Sequence, residues 1–536
     1  MSKFFAKILF AVFCLSAVFP SLQVNAQAKN RRQMEYLSRG VVAVNQGGGK
    51  VFVGWRLLGT DTENIAFNLY RETDGKAVRL NENPHSGATN FVDEKADLSQ
   101  QNSYFVRVLS GKKEEPASAK FTLPANAPAR QYLSVPLKTP AGYSPNDASV
   151  GDLDGDGEYE IVLHQVGRGR DNSFPGMTTE PILQAYRLDG TLLWTINLGK
   201  NIREGAHYTQ FIVYDLDGDG RAEIACKTAD GTVDGKGKVI GDAAADWRAP
   251  EGTVVEFKAS GDVRRMNIGG KILSGPEYLT VFDGLTGGAL ATTKFVPPRH
   301  PSKLNPTAED LNEIWGDGSG NRGDRFLAAV AYLDGGHPSL IMSRGYYTRT
   351  VIAAWDFRKG EIRQRWVFDS DSGSAENRKF RGQGNHNLSV GDIDADGKDE
   401  IVFGAMVVDD DGKGLYSTGL GHGDAMHLSD LDPDRPGLEV FDIQERFDDA
   451  GAHFRDARTG EILWKKPSLK AEDDGEGPGR GAAFDIDPRY RGFESWVRGA
   501  GIGGIFNAKG EKISERVPDS CNFGVYWDGD DPQLRC

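Results

Sequence analysis

Apolar residues along most of the chain fall in short runs of β-branched and aromatic side chains with a period of two, broken by Gly, Asn and Asp. No helical period of comparable length competes with them. From about residue 131 onward two patterns take turns. The first is acidic: G-D-L-D-G-D-G-E-Y-E-I at Gly151 to Ile161, Y-D-L-D-G-D-G-R-A-E-I at Tyr214 to Ile224, and G-D-I-D-A-D-G-K-D-E-I at Gly391 to Ile401. A looser copy runs from Ser429 to Val440, and weaker ones start at Tyr332, Phe484 and Tyr526. The second is an aromatic strand, a D-x-x-T-G-like turn and a strand often ending in Trp, as in Ala185 to Trp194, Val281 to Thr292, Ala354 to Trp366 and Phe454 to Trp464. One acidic loop plus one hairpin makes about one four-stranded sheet. A period of roughly 40 to 60 residues of this kind predicts a β-propeller over 131–536.

Residues 27–130 read differently. Val41 to Val44, Val51 to Trp55, Ala66 to Arg71 and Tyr104 to Leu109 are strand-like runs between turns, ending at the linker Leu123 to Pro128. They predict a small β-sandwich-like module, fibronectin-like in character, with no catalytic constellation. Residues 1–26 read as a signal peptide: Lys3 and Lys7, an apolar stretch from Ile8 to Phe19, then Val24-Asn25-Ala26 as a small-residue cleavage site. The expected protein is all-β, exported, and periplasmic, cell-surface or extracellular. No other segment is apolar enough to span a membrane.

Composition narrows the partners. A net charge of −14 argues against nucleic acid, since phosphate binding needs a basic face. It also repels a polyuronate unless cations are recruited locally. Once Cys14 leaves with the signal peptide, Cys226, Cys521 and Cys536 remain, too few and too far apart for a disulfide framework. Cys226 reads as a buried, inert thiol in a strand.

In the acidic loops, Asp at positions 1, 3 and 5 is followed by Glu four or five residues later. Alternate carboxylates on a Gly-punctuated turn suit Ca²⁺, which takes six to eight oxygens in a flexible shell. The four expected sets are Asp152, Asp154, Asp156 and Glu160; Asp215, Asp217, Asp219 and Glu223; Asp392, Asp394, Asp396 and Glu400; and Asp430, Asp432, Asp434 and Glu439. A repeat serving many sheets cannot mark one active site, so these ions are expected to be structural.

Chemistry is sought in polar residues that do not repeat. Asn146 and Asp147 precede the first loop, His386 the third, and His422 and Asp424 the fourth, which Glu445 follows; Arg480 comes before the next copy. All are expected at one end of the propeller axis. His386 and His422, flanked by Gly, Asn and Asp, read as functional, whereas His164, His300, His337 and His427 read as structural. Asp147 and Asp424 read equally well as turn caps.

At this point the chain resembles the rhamnogalacturonan lyases of polysaccharide lyase family 11. The resemblance rests on R-R-Q-M-E (Arg31 to Glu35), F-V-G-W-R (Phe52 to Arg56), N-I-R-E-G-A-H-Y-T-Q (Asn201 to Gln210), S-G-P-E-Y-L-T-V-F (Ser274 to Phe282), G-Q-G-N-H-N-L-S (Gly382 to Ser389) and Y-S-T-G-L-G-H-G-D (Tyr416 to Asp424). It implies an eight-bladed propeller with many calcium ions and a cleft metal on Asp147, His386, His422, Asp424 and Glu445. It implies sugar binding by Asn146 and uronate binding by Arg480. His386, His422 and Arg480 then become the expected catalytic residues, and the rhamnogalacturonan I backbone of pectin the expected partner of a monomer. Two departures stand out. His164 to Arg168 replaces a Trp-Asp-Pro common in the family, and the sequence after Trp527-Asp528-Gly529-Asp530 does not resemble the family's continuation, so the last part of the propeller is expected to be missing. Three alternatives stay open: a non-catalytic calcium-binding propeller for adhesion or glycan binding, an inactive lyase fragment, and a glycoside hydrolase with a carboxylate pair.

Overall fold

A computed structural model describes residues 32–111, 113–470, 477–526 and 534–535. The expected signal peptide, Cys536 and the Trp527 to Asp530 stretch lie outside the described residues. Only Ala308–Trp315 and Ala375–Arg378 are helical among them; the rest of the regular structure is strand.

The alternating run after Val41 folds into the hairpin Val42–Gly47 with Lys50–Gly54, which Asn90–Asp93 extends to three strands. A second sheet is built around Ala66–Thr73 and Asn102–Ser110. Between them lie Val41, Val51, Val53, Trp55, Phe67, Leu69, Tyr104 and Val106.

Six antiparallel sheets follow, each with its first four strands in chain order. Their first strands are Ser144–Gly151, Phe211–Tyr214, Phe326–Ala331, Ser389–Gly391, Gly423–Ser429 and Arg480–Phe484. Each first strand lies against the first strand of the next sheet. Successive sheets also share apolar cores. Leu153, Val162 and Leu183 of the first meet Val213, Ile224 and Phe282 of the second. Ala225, Leu279 and Val281 of the second meet Leu340, Met342 and Trp355 of the third. The same holds from third to fourth, fourth to fifth and fifth to sixth. Second strands are therefore covered on both faces: Glu223–Thr228, Ser339–Arg344 and Glu439–Gln444 are buried at every position. Cys226 sits in the first of these, and burial pushes its thiol up to about 12, as expected of an inert cysteine.

The acidic loops join first to second strands. In the first, both oxygens of Asp152 accept backbone N–H groups, from Gly155 and Gly157 at 2.7 Å each, and Glu160 accepts from Leu153 N at 2.9 Å. Asp215 with Glu223 repeats the arrangement; with Glu400, Asp392 repeats it through one oxygen only, accepting from Gly397 N at 3.0 Å. The turn needs a left-handed residue, supplied by Gly155 and Gly218 at φ 83° and by Ala395 at φ 66° in the third copy. The N-terminal segment lies across this end of the sheets, with Arg32 on Asp399 at 2.6 Å and Ser38 N on Gly157 O at 2.8 Å.

One helix escaped the periodicity. Ala308–Trp315 has eight residues, too few to show a stripe, but it is closed by a capping box between Thr307 and Asp310 and ends at Gly316, φ 71°.

A buried ionic network ties the second sheet to the third. Glu277 is ion-paired with Lys227 at 3.0 Å and Arg299 at 3.1 Å and accepts from Arg344 at 2.7 Å, and Arg344 also reaches Asp324 at 2.9 Å. Glu277→Gln leaves three buried cations short of a counter-charge and is expected to cost about 3–5 kcal/mol. Urea unfolding checks this; a loss within about 0.5 kcal/mol, the range of an ordinary surface change, would contradict the network's role.

Candidate active site

The topology sorts the polar residues into two ends. First strands finish at the acidic loops. The opposite end collects whatever precedes a first strand or follows a second one. His386, His422, Asp424, Glu445 and Arg480 all stand at that end, as do Arg325, Tyr346 and His207.

Main-chain contacts set the spacing of the two histidines. Asn385 pairs in parallel with Gly423 across the fourth and fifth sheets. His386 N donates to Gly423 O at 3.3 Å, and His422 Nδ1 lies 2.7 Å from Gly384 O. That carbonyl only accepts, so Nδ1 carries the proton and Nε2 of His422 presents its lone pair. Asn385 Nδ2 donates to the buried Asp442 at 2.9 Å, and Arg455 closes the same carboxylate at 3.2 Å. A Cβ on Gly423 would fall 2.5 Å from Ile443 O and 2.8 Å from Asn385 Nδ2, so only glycine lets the loops dock.

His386, His422 and Asp424 bring one ligand atom each to within 4.8 Å of one another. Asp424 Oδ1 lies 3.1 Å from His386 Nε2 and 3.5 Å from His422 Nε2, and Glu445 is 3.6 Å from the latter. Yet His422 Nε2 and Asp424 Oδ1 are buried without a well-formed hydrogen bond. Two imidazole nitrogens and carboxylate oxygens aimed at one point fit a divalent cation. Burial disfavours the Asp424 charge, whereas His386 and His422, when protonated, hold the carboxyl well below its usual range. Arg480, half exposed, touches the other Asp424 oxygen at 3.3 Å.

Aromatic rings form the wall. Tyr346 stacks on His422 at 5.2 Å between ring centres, and its hydroxyl lies 3.3 Å from His386 Nδ1. Tyr347 sits 4.1 Å from His422. The His207 ring stands 5.4 Å from that of His386 and contacts Asp171 at 3.5 Å. Asp171 in turn lines a cleft of about 500 Å³ with Asn146, Asp147, His164, Arg170 and Glu204.

The expected site residues thus divide. His386, His422, Asp424, Glu445 and Arg480 converge. Asn146 and Asp147 lie in the first strand of the first sheet and line the adjoining cleft; Asp147 is outside the three-residue group. His164 is buried against Glu204 at 3.2 Å, and His427 reaches Gly481 O at 3.3 Å. In the acidic loops positions 1, 3 and 9 come together: Asp152, Asp154 and Glu160; Asp215, Asp217 and Glu223; Asp392, Asp394 and Glu400. Position 5 is outside these groups. Asp156, Asp219 and Asp396 cap the N–H two residues on, at 2.8, 2.9 and 2.8 Å. Asp409 and Asp410 join Glu400 as unforeseen neighbours. The fourth loop differs again. Lys509 places its ammonium 2.7 and 2.8 Å from the two oxygens of Asp432 and 3.5 Å from Asp434, while Asp430 is exposed and Glu439 accepts from Leu431 N and Asp432 N.

Comparison with known proteins decides the family. The sequence profile of the rhamnogalacturonan lyase family 11 C-terminal domain matches residues 122–534, and that of the rhamnogalacturonan I lyase β-sheet domain matches 32–123. The chain belongs to rhamnogalacturonan lyase family 11. It is 53% identical over 520 residues to the rhamnogalacturonan exolyase YesX of Bacillus subtilis, covering 93% of this chain and 77% of that one. It is 52% identical over 511 residues to the endolyase YesW of the same organism, covering 93% and 74%. The solved Bacillus licheniformis rhamnogalacturonan lyase superposes with a TM-score of 0.80 at 51% identity, over 93% of this chain and 79% of that one. This family 11 lyase is therefore a polysaccharide lyase, and its cluster of His386, His422 and Asp424 lies beside the one cleft that holds both Asn146 and Asp147 among those described.

Gly423→Ala tests how the cluster is held. A side chain there is expected to cost about 1–3 kcal/mol by overpacking and to separate His386 from His422. Thermal unfolding reads the first effect and lyase activity the second; an unchanged melting temperature with full activity would show that the docking tolerates a methyl group.

Proposed function

We propose that this lyase cleaves the rhamnose–galacturonate backbone of rhamnogalacturonan I by β-elimination, at a calcium centre on His386, His422, Asp424 and Glu445 with Asp147 as a further ligand. The observation that carries this reading is the orphaned pair of His422 Nε2 and Asp424 Oδ1, aimed at one point beside the cleft. Elimination takes the proton from C5 of galacturonate while the C4 oxygen leaves. That proton is weakly acidic because the neighbouring carboxylate is already negative. A divalent cation, when bound, neutralises that carboxylate as a Lewis acid. The residues of the chain do the rest. Asp424 holds Arg480 at the mouth, where its fixed positive charge meets the uronate. Asn146 offers hydrogen bonds to the sugar from the cleft wall, and Tyr346 and Tyr347 fix the imidazoles and keep water from their faces.

The same reading makes the six meanders blades of a propeller, supported by first strands that touch in chain order and by apolar cores shared between successive sheets. Structural calcium belongs in the first three acidic loops. Export by the signal peptide at 1–26 places the protein, as a monomer, where pectin fragments occur.

Ultraviolet absorbance is the first test, because elimination leaves an unsaturated uronate. Purified protein given rhamnogalacturonan I is expected to show a rise that chelator abolishes and calcium restores. His386→Ala with His422→Ala is expected to lower kcat/KM by roughly a thousandfold or more, about 4 kcal/mol of transition-state stabilisation. Undiminished turnover in the double variant would sink the proposed centre.

A second test addresses the loops. Without cations, burial pushes Glu160, Glu223 and Glu400 up to about 7, 9 and 8. A carboxyl with a raised folded-state pKa binds its proton more tightly folded than unfolded. Its contribution is full below the ordinary value of 4.5 and is lost as pH climbs through about 7 to 9. Chelated protein is therefore expected to melt at falling temperatures over that rise, and calcium to flatten the trend. A melting temperature indifferent to both pH and calcium counts against structural ions.

A further inference from the structure

Among the described residues, five arginines are almost fully buried: Arg203, Arg299, Arg325, Arg344 and Arg455. Three have carboxylate partners, namely Arg299 and Arg344 on Glu277 and Asp324, and Arg455 on Asp442. Arg203 is wrapped instead by the main-chain carbonyls of Asp171, Phe174 and Gly176 and by Tyr208. Arg325 is satisfied differently. Its Nε donates to Asn321 O at 2.8 Å and one terminal nitrogen to Asn321 Oδ1 at 2.9 Å. The other donates to Tyr346 Oη at 3.0 Å and to His207 Nε2 at 3.2 Å. The guanidinium lies 4.8 Å from the Tyr347 ring centre.

Its hydrogens are thus placed, but its charge meets no carboxylate directly; Asp171 acts on it only from beyond the His207 ring. No carboxylate among the described residues pairs with it, although it is only 5% exposed. The nearest acid, Asp171, reaches the same His207 nitrogen at 3.5 Å and so stands one imidazole away. A buried charge without a counter-ion costs several kcal/mol, and an incoming anion recovers part of that. Tyr346 and His207, which hold Arg325, are also the groups that touch His386. That charge therefore sits behind the Tyr346 and His207 wall of the cluster.

We infer that Arg325 is a specificity-determining residue: its buried charge, with no carboxylate in contact, makes the site select a sugar bearing a carboxylate over the same sugar bearing an alcohol. The inference rests on the proposed uronate substrate and deepens it. Two fixed guanidinium charges then bracket the carboxylate, Arg480 exposed at the mouth and Arg325 buried behind Tyr346. Arg325 does not touch the reacting atoms; it acts through the field it sets up in a region of low dielectric.

The test uses the full chain with calcium and two inhibitors. One is the unsaturated rhamnogalacturonan oligosaccharide that the reaction leaves, and the other is the same compound with its carboxyl groups reduced to alcohols. Wild type is expected to prefer the acid by about tenfold or more in inhibition constant. Arg325→Gln, which keeps donors for Asn321 and Tyr346, is expected to cut that preference to about threefold or less while leaving affinity for the alcohol unchanged. Arg325→Lys keeps the charge and is expected to keep most of the preference. Visible spectra with cobalt(II), whose bands report nitrogen ligation, are expected to be the same in all three, which separates loss of selectivity from loss of the His386 and His422 site. Undiminished preference in Arg325→Gln overturns the inference, as does its loss in folded Arg325→Lys. Should Arg325→Gln fail to fold, the Arg325→Lys result decides. Wild type that yields no unsaturated product but holds the acid through Arg325 would sink the lyase reading and leave this one standing.

Discussion

Two histidines carried by neighbouring sheets meet because Asn385 pairs in parallel with Gly423, a contact closed to any side chain larger than hydrogen. Everything at the site hangs from that junction. Asp442 and Arg455 fix Asn385 from below, the Gly384 carbonyl sets the tautomer of His422, and Tyr346 stacks on the ring so oriented. Burial pushes the Asp442 carboxyl up to about 6 despite Arg455, a measure of how dry the support is. A dry, fully satisfied polar support specifies one arrangement where an apolar contact would allow several.

The molecule keeps its two carboxylate populations apart by strand direction. Acids that stiffen loops lie where first strands end, and acids that face the cleft lie where first strands begin. Between them the second strands are buried along most of their length, wholly so in Glu223–Thr228, Ser339–Arg344 and Glu439–Gln444, so the separation is a stretch of close-packed core. This lets an acidic protein hold a site for an acidic polymer, since the loop carboxylates stand a strand's length from the arginines at the cleft.

Much of this was legible in the residues. Alternation located strands such as Lys50–Gly54, whose burial alternates too, while second strands such as Glu223–Thr228, buried at every position, were marked by the acidic repeat that runs into them. The D-x-D repeat marked the loops, and Gly-rich strings marked His386 and His422. What escaped was whatever depends on distance along the chain or on a competing local bond. Position 5 of the first three acidic loops stands outside the carboxylate groups gathered there, and its Asp caps its own turn as position 3 does. Lys509 lies 77 residues from Asp432, beyond the reach of any motif. His207, Arg325, Tyr346 and Tyr347 carry no signature of their own. Their only signal is place: each stands just before a first strand or just after a second one. Asp147 was grouped with the histidines by family likeness, and the structure sets it on the adjoining wall.

Lys509 gives the fifth and sixth sheets a joint of a different kind from the others. An ammonium on a side chain cannot diffuse away, cannot be captured by a competing chelator, and is present from the moment the chain is made. The interface it closes is therefore indifferent to the mineral content of the surroundings, whereas loops that recruit a free ion depend on it. With calcium in the first three loops, as proposed, removal of divalent ions is expected to loosen the earlier sheets before the pair that Lys509 joins.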